Sequence, residues 1–355
     1  MPQLCPELTT KLAPLKQLKQ EFDLELTKAQ SLSPNKPEDL VLVREAKIKL
    51  EQASQAFQDL QNELWLETPE LTPENLKAQY EAQVDILRKN NLLKTLSTGE
   101  LGIEAIDKRE YPIPTLEQIE FFILKNKEFL KTKIPQGFVK LIIVPFGLPI
   151  SSLIEAYSKA LIECHKQGCL YDAQFLHFEF NAKPIHDYTG WVKAEATGEL
   201  VYFPKEYSKT THQGKTKQEL LPTQAWQILM LEDSPDIPDK GKGKTVNGRQ
   251  QPEANQSPND YLKQLQTNLQ YKGEQGLTPE SWLVYGLDYL KEGRQIIDSR
   301  QDYYRGCIMV NSYFKETGYV PTAYPGHGDM SVTLDRKSPN DSWTIGATRF
   351  AVSIL

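Results

Sequence analysis

The chain has 355 residues, with 41 Lys and Arg against 47 Asp and Glu, a formal net charge of −6 and 39% hydrophobic residues. The length supports a core without disulfide or metal staples, and at about 150 residues per domain it predicts two domains. The acidic balance excludes a dedicated nucleic-acid binder, whose phosphate contacts need concentrated Lys and Arg. No run of about 18 apolar residues reads as a membrane span. Residues 1–20 lack the apolar region of a secretory signal, so the cytoplasm is the default expectation.

Apolar spacing predicts helices through the first 97 residues, a helical arm. Leu15, Leu18, Phe22 and Leu26 form one stripe. After a break at Pro34, Val43, Ala46, Leu50, Ala53, Phe57, Leu60 and Leu64 step by 3 and 4 in an a/d seam, with Asn35 placed to cap the helix. A third helix starts at Thr72 and Pro73 and repeats Leu76, Tyr80, Val84 and Leu87. The seam fits a hairpin packed on itself and self-association through residues 35–66 equally well. Residues 98–131 read as a helical connector, with one helix over Thr115–Leu130 built on Leu116, Ile119, Ile123 and Leu130.

Residues 132–355 read as a mixed α/β domain, which makes the whole chain α+β. Residues 138–146 are a buried strand, followed by a helix capped at Ser151 or Ser152 and ended by Gly168. From about 180 to 275 the pattern is irregular and reads as an insertion. It contains short strands at Trp191-Val192 and 200–203, a stronger strand over 225–231 and a long loop over 234–258. Helices then start at Ser257-Pro258 and Thr278-Pro279. Short β runs follow at 307–310, 318–320, 331–334, 343–345 and 350–354.

Motifs for catalysis or cofactors are incomplete. Cys164, His165 and Cys169 make half a zinc site, and Cys164 fits the buried face of a helix end better; Cys5 and Cys307 add no spacing pattern. Lys240-Gly-Lys-Gly-Lys-Thr245 resembles a phosphate loop, but Pro238 stands where such a loop needs a glycine, and Val-Asn-Gly-Arg after it reads as a turn, not a helix start. His177 with Glu179 and His186 with Asp187 are the tight imidazole–carboxylate neighbours, and neither has an evident third partner. No catalytic residue, cofactor or metal is assigned; an enzyme using either pair is one alternative, and a coiled-coil interaction protein is another.

The C-terminal segment is richer. Gly318–Asp329, Ser331–Leu334 and Asp335–Ser342 lead into Trp343-Thr-Ile-Gly-Ala-Thr-Arg-Phe-Ala-Val. Tyr, Ser, Asn, Asp and Gly suit binding loops, because Tyr offers rigid amphipathic area and small polar residues adapt their hydrogen bonds. The W-x-I-G-A-x-R-x-A-V ending, behind a loop of Tyr, Gly, His, Asp, Ser and Asn, resembles the variable proteins of diversity-generating retroelements. These have a C-type-lectin fold shared with formylglycine-generating enzymes. The likeness covers residues 318–354. It implies a non-catalytic binding or display protein whose ligand is a protein or a cell surface. The binding residues it implies are Tyr324, His327, Asp329, Thr333, Asp335, Lys337, Asn340, Asp341, Ser342 and Trp343, with Gly346, Arg349 and Ala351 as scaffold. Thr348 is inserted where the family more often runs directly into Arg, which moves the following strand by one residue. Cys307 stands alone where catalytic members carry a cysteine pair.

Overall fold

The structure, a computed structural model, describes residues 48, 70–168, 183–234, 237–293, 296–298, 305–326 and 331–355. Contacts divide the chain into two compact units, Met1–Glu67 with Ile123–Lys127, and Thr68–Phe122 with Glu128–Leu355. The first two helices expected for the arm and the seam at 35–66 lie outside the described residues, apart from Ile48. The third, α1 (Pro73–Lys89), belongs to the larger unit. It starts as its sequence predicts: the Asn75 amide donates to Thr72 Oγ1 at 3.1 Å and Pro73 follows the cap.

The helical arm expected to run to residue 97 gives way to a strand at Lys94–Thr95, and the expected connector is not wholly helical. Strands β1 (Lys94–Thr95), β2 (Leu101–Glu104) and β3 (Glu110–Pro112) form an antiparallel meander. Strands of two to four residues are too short to show an alternation. The helix expected over Thr115–Leu130 is two, α2 (Leu116–Lys125) and α3 (Lys127–Lys133). They part at Asn126, whose amide donates three residues back to Ile123 O.

Strand β4 (Phe138–Val144) and helix α4 (Ile150–Lys166) match expectation, and Gly168 ends the helix at φ +64°. Its N-terminus differs. Neither Ser151 nor Ser152 caps it; Pro149 holds that position, and Glu195 Oε2 accepts from the Ile150 amide at 2.9 Å. After β5 (Ile185–His186), Trp191-Val192 lies in helix α5 (Thr189–Ala196), not in a strand. Trp191 and Ala194, three apart, are the buried pair, so the helical period overrides β propensity.

Strands β6 (Leu200–Tyr202) and β7 (Lys215–Thr216), helix α6 (Lys217–Leu220) and strand β8 (Gln227–Glu232) follow. The long loop expected over 234–258 contains a hairpin of β9 (Thr245–Val246) and β10 (Arg249–Gln250). Asn247 at φ +47° and Gly248 at φ +76° make its turn, as a tight hairpin of this twist requires. Helix α7 (Pro258–Thr267) opens with a reciprocal Ser257–Asp260 capping box, and β11 (Glu274–Gly276) and α8 (Pro279–Gly293) succeed it. The chain ends in β12 (Gly306–Ile308), β13 (Ser312–Phe314), β14 (Val320–Pro325), β15 (Val332–Lys337), β16 (Gly346–Ala347) and β17 (Phe350–Ser353). The strand expected at 343–345 is instead a turn leading into β16.

The fold is mixed α+β. One sheet has the order β11-β17-β8-β4 and another β16-β12-β14-β15-β5. Residues 180–275 are not a peripheral insertion, because β8 lies between β17 and β4 in the centre of the first sheet. Helix α1 closes the β4 edge with amide side chains. Gln79 Oε1 accepts from Leu141 N at 2.7 Å while Gln79 Nε2 donates to Val139 O at 3.1 Å, so one glutamine does what a further strand would do. On α8, Gly286 leaves room for the Tyr157 ring, which would lie 2.9 Å from an added Cβ.

Buried charges knit these parts together. Lys217 Nζ meets Glu195, Glu280 and Leu148 O, and the Tyr202 hydroxyl donates to Glu280 at 2.7 Å. Arg249 forks onto Glu274 with two bonds of 2.9 Å, and Lys133 reaches the same carboxylate at 2.6 Å. Arg349 pairs with the buried Asp298.

Candidate functional site

The five-stranded sheet assembles the C-terminal residues singled out in the sequence. Strands β14 and β15 pair antiparallel with Tyr324 opposite Thr333, Thr322 opposite Asp335 and Val320 opposite Lys337. Opposed residues share a face, and so do residues two apart. Tyr324, Thr333, Asp335 and Lys337 therefore stand on one side of the sheet. Cys307, Ala323, Leu334 and Ala347 occupy the other side and are buried. Ile308 and Thr322 share the Tyr324 side but are buried too. What that side shows to solvent is an outer layer of longer side chains.

Trp343 completes the layer. Strand β12 pairs with β16 in parallel, Gly306 beside Gly346, and the indole lies across both. A Cβ on Gly306 would come within 1.9 Å of the ring and one on Gly346 within 2.0 Å. Two adjacent glycines thus make a flat bed that no other residue type could supply. Tyr324 meets the indole edge-on, ring centroids 5.6 Å apart, and Lys337 Nζ sits 5.9 Å from the indole centroid.

The Tyr324 hydroxyl lies in a polar corner. Partial burial raises its pKa first, the Asp335 carboxylate adds to that, a hydrogen bond with Thr333 opposes it, and Asp187 raises it again. Asp187 directly follows β5, whose His186 is the parallel partner of Thr333. The His186–Asp187 pair thus joins the edge of this face, with Asp187 in a left-handed backbone conformation at φ +59°.

Asn340, Asp341 and Ser342 are exposed on the segment between β15 and Trp343. That segment is anchored to the start of α7: Asn259 Nδ2 donates to Asn340 Oδ1 at 2.8 Å and Asn259 N to Pro339 O at 3.0 Å. Asn255 N donates to Trp343 O at 2.9 Å. The loop side chains are therefore presented from a tethered backbone. His327 and Asp329 lie outside the described residues, as do His177, Glu179, Cys5 and Cys169. Gly346, Arg349 and Ala351 are all buried. Thr348 falls with Arg349 at the crossover between sheets, after β16 in one and before β17 in the other.

Two neighbours of the face escaped the sequence reading. Tyr188 and Ile345 are exposed large residues, at 41% and 37%. Tyr188 follows the His186–Asp187 pair directly, which is the signal for it; Ile345 ends the run 343–345 that reads as a strand. The glycine-rich Lys240–Thr245 loop does gather backbone amides around an anion, but that anion is internal. Gly241 N and Gly243 N donate to the two Glu253 carboxylate oxygens at 2.7 and 2.8 Å. Cys164 is buried on α4, as a helix-packing residue would be.

Among the described residues, no helix is long and apolar enough to cross a membrane. No protein-family model, curated protein or solved structure matches the chain.

Proposed function

We propose that this chain is a non-catalytic ligand-binding protein, and that the Tyr324–Trp343 side of the five-stranded sheet is its binding face. The observation that carries the reading is the Trp343 indole laid on Gly306 and Gly346 with Tyr324 at its edge. A rigid aromatic pair, set beside Thr333, Asp335 and Lys337 on paired strands, loses little side-chain entropy on contact. In this reading the C-terminal strands belong to a C-type-lectin-like domain, the ligand is a protein or a cell surface, and Asn340, Asp341 and Ser342 extend the face; His327 and Asp329 are binding residues by the resemblance alone. The buried positions of Gly346, Arg349 and Ala351 support their role as scaffold.

The test is a protein, peptide and glycan array probed with the full chain and with a Tyr324→Ala/Trp343→Ala double variant. The reading expects specific signals that the double variant loses while its melting temperature holds. Signals of equal strength from both proteins would refute it.

A further inference from the structure

The outer layer of this face has a charge pattern that narrows its ligand. Asp335 stands diagonally across from Tyr324 on the paired strands, and Asp187 directly follows His186, the parallel partner of Thr333, so both carboxylates act on the Tyr324 hydroxyl; Asp187, Asp335 and Asp341 are all exposed. Among the described residues, the ammonium that β15 sets against these carboxylates is Lys337, and it is already drawn toward the Trp343 ring. Arg336 is turned to the opposite side of β15 by the alternation of the strand, with its guanidinium 5.3 Å from the Tyr319 ring. The chain as a whole is acidic.

Resting on the binding-face reading above, we infer that the face takes an arginine-bearing segment of a partner protein, its guanidinium received between the Tyr324–Trp343 aromatic pair and the Asp187 and Asp335 carboxylates. A guanidinium is planar, stacks on aromatic rings and forks onto carboxylates, which suits this mixture better than a compact ammonium. Trp is the strongest aromatic partner for a cation, and Lys337 shows that this ring attracts one. A protein segment fits better than a small molecule because the outer side chains Tyr324, Thr333, Asp335 and Lys337 are strung along two strands whose six paired residues run about 20 Å. Lys337 is then an internal competitor, and its ammonium must yield when the ligand arrives.

The experiment uses the full chain labelled with 5-fluorotryptophan, with the Trp343 fluorine resonance identified by Trp343→Phe. The probes are tetra-arginine, tetra-glutamate and maltotetraose. Tetra-arginine is expected to move the Trp343 resonance in a saturable way. Its dissociation constant should rise about tenfold in Asp187→Asn/Asp335→Asn and fall about threefold in Lys337→Met. If tetra-glutamate or maltotetraose moves the resonance and tetra-arginine does not, the face still binds and the cationic class is wrong. If tetra-arginine binds without moving Trp343, and Tyr324→Ala leaves its affinity unchanged, the cation is held elsewhere and the arginine inference fails, while the binding-face reading stands or falls with the array. A Trp343 resonance that no probe moves overturns the arginine inference.

Discussion

The Trp343 indole rests on Gly306, close enough that a single added methyl group would occupy the space of its ring. The aromatic platform thus depends on a residue 37 positions away that has no side chain at all. Gly306→Ala should displace the indole outward instead of breaking β12, because the contacts fall on the far carbons of a side chain that can swing. We expect Trp343 to become more accessible to acrylamide quenching, with a stability loss of about 1–2 kcal/mol from the lost packing. Unchanged quenching would contradict the contact.

The glutamine seal on the β4 edge predicts a local effect. Gln79→Leu keeps the bulk but removes both the acceptor for Leu141 N and the donor to Val139 O. Stability should fall by about 1–2 kcal/mol for the unmade bonds. The Leu141 amide should lose protection in hydrogen exchange well before the amides of β8, which lies inside the sheet. Equal protection in both proteins would mean that the seal contributes nothing.

Among the described residues, Lys217 is the cation paired with two buried carboxylates, Glu195 and Glu280. Burial raises the Glu195 pKa despite the Lys217 charge. Lys217→Met leaves both acids without their counter-charge, and the expected cost is about 3–5 kcal/mol in urea unfolding at neutral pH. The deficit should shrink in acid, where the Glu195 carboxyl becomes neutral. A variant as stable as the wild type would show that the cluster is not held by charge.

The capping box on α7 gives a pH dependence with a fixed sign. Hydrogen bonds from the Ser257 hydroxyl and then from its amide hold the Asp260 pKa below the ordinary carboxylate value. A group depressed on folding contributes stability above its unfolded pKa and loses it as pH falls through the folded one. Asp260→Asn should therefore cost about 1 kcal/mol at neutral pH and progressively less below pH about 4. A gap that is constant from pH 7 to pH 3 would contradict the assignment.

Features that depend on a few adjacent residues were legible in the sequence. Thr72-Pro73 and Ser257-Pro258 each announce a helix start, and the 3.6-residue pattern of Ile154, Tyr157, Leu161 and Cys164 draws α4. Trp191-Val192 reads as a strand from its two β-formers, but they say less than the burial of Trp191 and Ala194, which only the folded chain reveals. Asn247-Gly248 is a sufficient hairpin signal in principle, but its strands are two residues long and were absorbed into a polar loop. The face itself was legible as a list of residues and not as a surface. Nothing local tells that β5 pairs with β15 and brings Asp187 to Tyr324, or that Gly306 and Gly346 meet under one indole; both follow from pairing across long separations.

The most direct test of the account is isothermal titration of the strongest array ligand into the wild type, Trp343→Ala, Tyr324→Ala and a control, Lys272→Ala, placed on the turn before β11. The account predicts that each aromatic truncation weakens binding by more than about 2 kcal/mol, as residues at the centre of an interface do, and that the control changes nothing. Equal affinity in all four proteins would show that the ligand is held elsewhere on the molecule.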